Sequence, residues 1–158
     1  MSATKKTLLV VLGGGGHSAQ AMRLVERLGG RYSYEFVAAA GDRHAANVHH
    51  RILNPRTMSD RNPFWIATKS VIATVQSLGV LFRTKASTIV ACGPAIAVPL
   101  CILGKLSGKK VIYLESWARV KTVSRSGRLA YPFADLFLVQ WKELVQQLPR
   151  AQYAGRLA

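Results

Sequence analysis

LVVLGGGGHSAQAMRLVERL, Leu9 to Leu28, decides the fold. An apolar run leads into four consecutive glycines, then His17 and Ser18, and then apolar positions recur at helical spacing. A buried strand, a tight turn and an amphipathic helix in that order begin a βαβ unit. Glycines let the backbone turn sharply and approach a ligand, while the unsatisfied N–H groups at the start of a helix face an anion. The loop therefore suits a diphosphate or a developing negative charge, with the imidazole of His17 at its mouth.

Outward from this stretch the pattern repeats. Candidate strands are Thr7 to Leu12, Tyr34 to Ala39, Thr88 to Ala91, Lys110 to Leu114 and Asp135 to Gln140, each nearly continuous in apolar residues rather than alternating, as strands covered on both faces are. Between them lie helix candidates at Ser18 to Leu28, Phe64 to Phe82, Ala95 to Leu106 and Trp141 to Leu148. The rhythm predicts a Rossmann-like α/β domain with a doubly wound parallel sheet. Ligands bind such sheets beyond the carboxyl ends of the strands. There Gly13 to Ser18, Gly41 to Arg43, Cys92 to Pro94 and Glu115 to Arg119 are expected to converge.

A chain of 158 residues that is 49% hydrophobic is sized for one core, so residues 1–158 read as a single domain. Its 22 Lys and Arg against seven Asp and Glu give +15, a surface that attracts phosphates, nucleic acid or anionic lipid. Charge alone does not choose among them, and no nucleic-acid signature accompanies it, so no specific nucleic-acid partner is expected. Cys92 and Cys101 lack the spacing of a zinc site and read as buried free thiols in a reducing compartment; no metal is expected. Leu8 to Leu12 is too short for a signal-peptide core, and Ile89 to Leu103 contains two prolines and is too short to span a bilayer.

Two stretches carry more than fold. Ala40 to Asn62 is a long polar connection with four arginines and three histidines, of a length that is functional or disordered. After it, Phe64, Ala67, Val71, Val75, Leu78 and Phe82 recur at three- and four-residue spacing as one apolar stripe, with Lys69, Gln76 and Arg83 well round from it. Packing of the stripe on the sheet is the expected use; the competing use is a helix lying in a membrane interface, making residues 63–83 a membrane-associating segment.

Gly14, Gly16 and Ala19 satisfy a permissive dinucleotide pattern, but the acidic residue that should end the second strand is missing: Glu35 comes early and Asp42 late. A P-loop is excluded because no Lys-Ser or Lys-Thr pair follows the glycines. His17 at a helix start should have its pKa held down, keeping the ring neutral and able to accept a proton from a hydroxyl; a role in orienting the loop is the alternative. Glu115, a lone carboxylate ending an apolar strand, either pairs with Arg119 or meets a ligand's hydroxyls.

The segments GGGGHSAQ, NPRTMSDRNP, CGPAIAVPLC, YLESWARVKTVSRSG and DLFLVQWKELVQQLPRAQYAGRLA, in this order and with these gaps, closely resemble the family of the asparagine-linked-glycosylation protein fourteen and its PssD-type bacterial counterparts. The resemblance implies the amino-terminal half of a GT-B glycosyltransferase split over two chains. A donor-binding subunit, PssE-type or like the asparagine-linked-glycosylation protein thirteen, would hold the nucleotide-sugar. This chain would bind no cofactor of its own, hold an acceptor sugar carried on a polyprenyl phosphate or diphosphate, and work peripherally at the cytoplasmic face of the membrane. By similarity to MurG-like enzymes, His17 would be the base and Glu115 the acidic residue near the acceptor. Gly14, Gly15, Gly16 and Ser18 would face the diphosphate, and Gly93, Pro94, Ser116 and Arg119 would shape the cleft, with Arg56 meeting phosphate. Trp141, Gly155 and Arg156 match positions near the partner contact.

Eukaryotic members of that family carry an amino-terminal membrane anchor, whereas this sequence begins almost directly with its first strand, so anchoring is expected from the 63–83 stripe and the basic surface together. Two further readings are a scaffold without an active-site group and a dinucleotide-dependent oxidoreductase resting on the glycine pattern alone.

Overall fold

Strands that are apolar on both faces need cover on both, and the computed structural model supplies it. It describes residues 5–42, 47–57 and 59–157. The strands are β1 (Thr7–Leu12), β2 (Ser33–Ala39), β3 (His50–Ile52), β4 (Thr88–Ala91), β5 (Lys110–Leu114), β6 (Leu136–Val139) and β7 (Ala151–Tyr153). They form one sheet in the order β3-β2-β1-β4-β5-β6-β7, and every pairing is parallel. The helices are α1 (Gly16–Leu28), α2 (Pro63–Arg83), α3 (Ala97–Leu106) and α4 (Arg125–Ala130).

Alternate residues of β1 serve the two faces, as the strand period of two requires. Leu8, Val10 and Leu12 join Ala21 and the partly buried Leu24, Val25 and Leu28 of α1 on one side. Leu9 and Val11 join Ala73, Val80 and Leu81 of α2 and Leu100 and Cys101 of α3 on the other. The strand order turns back between β1 and β4, and in open parallel sheets the crevice at that switch point is where ligands bind.

Two expectations need correction here. The connection after β6 is a 3-10 segment, Lys142–Gln147, and not the α-helix read at Trp141 to Leu148, because the crossover from Val139 to Ala151 is about as short as parallel strands permit. More important, the apolar stripe of α2 does not pack on the sheet. Phe64, Val71, Val75 and Phe82 are exposed, Phe82 at 81%, while the side facing the protein carries Ala73, Ser77, Val80 and Leu81. Polar groups reinforce that narrow buried side. Lys69 Nζ pairs with Asp60 at 2.6 Å, and Gln76 Oε1 accepts from Leu53 N at 2.7 Å. It is also long and apolar enough to cross a membrane by length and composition.

Candidate functional site

The glycine loop lies at the switch point because β1 ends there and β4 ends beside it. Gly13 is in close contact with Pro94: a Cβ at residue 13 would stand 2.4 Å from Pro94 Cβ, so no side chain fits. Gly15, with φ of 65°, caps α1 without any side-chain hydrogen bond, and the first turn of α1 holds no acidic residue. A 13-residue helix thus starts with its N–H groups and positive dipole end open to an anion. The Ser18 hydroxyl, expected at the ligand, donates to Gly13 O at 2.6 Å and braces the loop.

His17 lies half-buried over Gly93, whose φ of 83° brings its backbone under the ring; a Cβ there would be 2.8 Å from His17 Cε1. Burial lowers the His17 pKa below its ordinary value, opposed by the negative charge of Glu115 and by the Cys92 backbone and aided by Arg119. The direction agrees with the helix-start argument, but burial is the main cause. The Nδ1 atom is buried and makes no hydrogen bond of good geometry among the described residues.

Glu115 is fully buried, and its carboxylate is engaged on both oxygens. Ser116 N donates to Oε1 at 2.8 Å, and Ser124 N and Oγ each donate to Oε2 at 2.9 Å. Gly127 closes the cage, since a Cβ there would be 2.3 Å from Oε2. Of the two expected uses, pairing with Arg119 or contact with a ligand's hydroxyls, the first is replaced by hydrogen bonds that fold residues 115–124 back on themselves, and these same bonds occupy both carboxylate oxygens. Ser116 forms the turn, its carbonyl accepting from Arg119 N at 3.0 Å.

Sequence reasoning missed the groups that hold this turn over the loop. Gln20, fully buried on α1, donates through Nε2 to Glu115 O at 3.3 Å and accepts from Trp117 N at 3.1 Å. Gln140 at the end of β6 donates to the same carbonyl at 3.0 Å and accepts from Leu157 N at 2.9 Å. Trp117 thereby stands next to Gly16, with the Arg23 guanidinium 5.1 Å from its ring centroid. The available signal was a glutamine inside each of two otherwise apolar contexts, AQA and LVQW.

Three of the four expected loops therefore meet around His17: 13–18, 92–94 and 115–119. Of the fourth, Arg43 lies outside the described residues, and Gly41 has open space around it. Arg56 is elsewhere, exposed on a groove between α2, α3 and α4 that also includes Ala95 and Arg125. Trp141, Gly155 and Arg156 cluster at the far edge. Arg156 lies 4.9 Å over the Trp141 ring, whose Nε1 donates to Trp117 O at 2.7 Å, so Trp141 also props the site loop. Glu35, the early candidate for a ribose contact, accepts from Thr84 Oγ1 at 2.5 Å and sits near the start of β2, away from the strand's carboxyl end. Cys92 and Cys101 are buried free thiols, pushed up to about 12 by burial.

Residues 8–157 match the family described as "Oligosaccharide biosynthesis protein Alg14 like". The chain belongs to the Alg14 family. Alg14 relatives include the UDP-N-acetylglucosamine transferase subunit ALG14 of Rattus norvegicus, 35% identical, with 95% of this chain and 82% of that protein covered. The human subunit of the same name is 33% identical over 96% and 82%, and that of Schizosaccharomyces pombe 33% identical over 98% and 84%. Among solved structures, Acinetobacter baumannii MurG superposes with a TM-score of 0.66 at 16% identity, covering 85% of this chain and 41% of MurG. The UDP-GlcNAc 2-epimerase of Neisseria meningitidis gives 0.69 at 10% identity, over 96% and 47%. This Alg14 chain thus spans less than half of either neighbour, and those likenesses bear on the fold alone: a GT-B-type Rossmann-like half.

Proposed function

We propose that this chain is the acceptor-binding, membrane-associating subunit of a two-component glycosyltransferase. A separate donor-binding subunit, PssE-type or like asparagine-linked-glycosylation protein thirteen, holds the UDP-sugar, and the acceptor is a sugar on a polyprenyl diphosphate at the cytoplasmic face of the membrane. The observation that carries this reading is the open start of α1 at the switch point, with a half-buried imidazole lodged beside it. The names of the relatives, transferase subunits for UDP-N-acetylglucosamine, support the donor class.

In this reading the diphosphate of the acceptor rests against Gly14, Gly15 and Gly16, with Arg119 nearby. Neutral His17 takes the proton of the acceptor hydroxyl as that oxygen bonds to C1 of the donor sugar. The bond from C1 to the phosphate oxygen breaks, and UDP leaves with the electron pair. Glu115 is a positioning residue: it holds the 115–124 turn over the loop, and its charge steadies the imidazolium that forms. Trp141, Gly155 and Arg156 are the contact for the donor subunit. The outward apolar face of α2, flanked by Arg61, Arg83 and Lys85, lies in the membrane interface; the protein covers its other side, which favours lying in the interface over spanning the bilayer.

The test is transfer by the reconstituted pair of chains. His17→Ala is expected to lower kcat by about a hundredfold or more, with His17→Gln as a variant of similar size. Because the folded pKa of His17 is lowered, the base is deprotonated at neutral pH. The rate should be flat from pH 7 upward and fall only as pH drops through a value below the ordinary 6.5. Transfer near parental rates in both variants, with an unchanged acid limb, would remove His17 as the base and favour a scaffold role.

A further inference from the structure

A groove of about 400 Å³ runs between α2, α3 and α4, on the side of the sheet away from α1, within the size range of small-ligand sites. Away from Arg56, Arg125 and Ser126, its walls offer almost no hydrogen bonds. Ser70 and Thr74 line it from α2, but the Ser70 hydroxyl donates to Ile66 O at 2.7 Å and the Thr74 hydroxyl to Ser70 O at 2.8 Å. Their protons are committed to the helix itself. Val98, Pro99 and Ile102 of α3 bring only carbon. Along this α2–α3 stretch a sugar ring would lose its water contacts without replacement, whereas hydrocarbon would not.

Two features give the groove a direction. Arg56 and Arg125 stand along it, and neither has a carboxylate within ion-pair distance among the described residues. Its outer lip is α2, where Val71 and Val75 continue the apolar surface outward to solvent. Its inner end includes Ala95, next in the chain to Pro94, which packs on Gly13 of the glycine loop. Hydrocarbon walls with unpaired guanidinium groups suit an amphiphile that carries one anionic end.

We infer that this groove holds the first isoprene units of a polyprenyl phosphate, leading the lipid from the outer face of α2 to the glycine loop. The inference rests on the acceptor reading above, since the glycine loop is what distinguishes a polyprenyl phosphate from an ordinary phospholipid here. A chain threaded in this way is shielded from water on its path and enters the loop with its phosphate foremost.

The experiment uses the full chain on phosphatidylglycerol vesicles with a polyprenyl phosphate that bears a diazirine on its second isoprene unit. Photolabelling is expected on peptides containing Val98, Ile102 or Ser70. Val98→Trp, or Ser70→Trp from the opposite wall should either variant fold poorly, should cut that labelling by at least about tenfold, as loss of a few buried methylenes implies. Label confined to Val71, Val75 and Phe82, or equal displacement by added phosphatidylglycerol, would overturn the assignment. So would a dimer that Val98→Trp converts to monomer while labelling persists, because the groove would then seat a second copy. With the donor subunit present, the same variants should lower the preference for a long-chain over a single-isoprene acceptor by a similar factor, and an unchanged preference counts against the groove. Groove labelling by a pair that transfers no sugar would sink the transferase reading alone.

Discussion

Helices α1 and α2 cover opposite faces of one sheet and are built inside out with respect to each other. The first turns Ala21, Leu24, Val25 and Leu28 onto the strands. The second turns only Val80 and Leu81 of its large apolar residues inward, beside Ala73, Ser77 and the tethers at Lys69 and Gln76, and leaves Phe64, Val71, Val75 and Phe82 outside. Their starts differ in the same way. Asn62 Oδ1 accepts from Phe64 N and Trp65 N and closes the start of α2, while α1 begins at a glycine with no side-chain cap. One helix is anchored by its apolar side and open at its tip; the other is closed at its tip and open along its apolar side. In the function proposed above, the two helices divide two tasks, anion contact and surface attachment.

The largest way to break this contrast is to place a charge on the buried side of α1. Ala21 is fully buried, so Ala21→Asp leaves a carboxylate without partner or water and should destabilise the domain by about 3 kcal/mol or more. Thermal unfolding should drop by about 6–12 °C. The equivalent insult to the stripe of α2 should do nothing of the kind. Val71→Asp with Leu78→Asp is expected to shift stability by no more than about 0.5 kcal/mol per site. The same pair should weaken binding to anionic vesicles by more than about a hundredfold, since each lost side chain forfeits roughly 1.5–3 kcal/mol of burial. Vesicle flotation and a thermal melt on the same samples decide it: a pair of variants that unfolds the chain, or that floats like the parent, ends the claim that this face meets a membrane.

The same contrast marks what was legible in the sequence. The strands β1, β4 and β5 have the bounds their apolar runs indicate, because Gly13 and Glu115 stop β1 and β5 directly and Gly93 follows β4 after one residue. The three-residue strands β3 and β7 were not legible, since each pairs on one side only and is too short for any period to register. The glycine loop, Pro94 and His17 could be brought together in advance because strand ends converge in this class of fold. The state of Glu115 could not, because its cage depends on Ser124 and Gly127, nine and twelve positions on, folding back over it. The stripe of α2 was visible, but periodicity reports that an apolar face exists and not which way it points. The direction goes with Val80 and Leu81 in the core and with Lys69 and Gln76, whose partners Asp60 and Leu53 lie in the loop before the helix.

The smallest expected effect tests that last point most directly. If α2 is tethered through its polar side, Gln76 is a structural residue although much of it is exposed, and its Oε1 holds the Leu53 N–H just beyond β3. Gln76→Ala removes that acceptor and leaves a half-exposed N–H to find water, a loss of about 1 kcal/mol, or about 2–4 °C in Tm. Vesicle binding should be unchanged, because Gln76 lies off the stripe. An α2 of ordinary amphipathicity, with its polar side in solvent, would give the opposite pair of results: no change in Tm for Gln76→Ala and unfolding for Val71→Asp. Measured together, the two substitutions report which face of the helix the fold depends on, independently of any lipid or sugar.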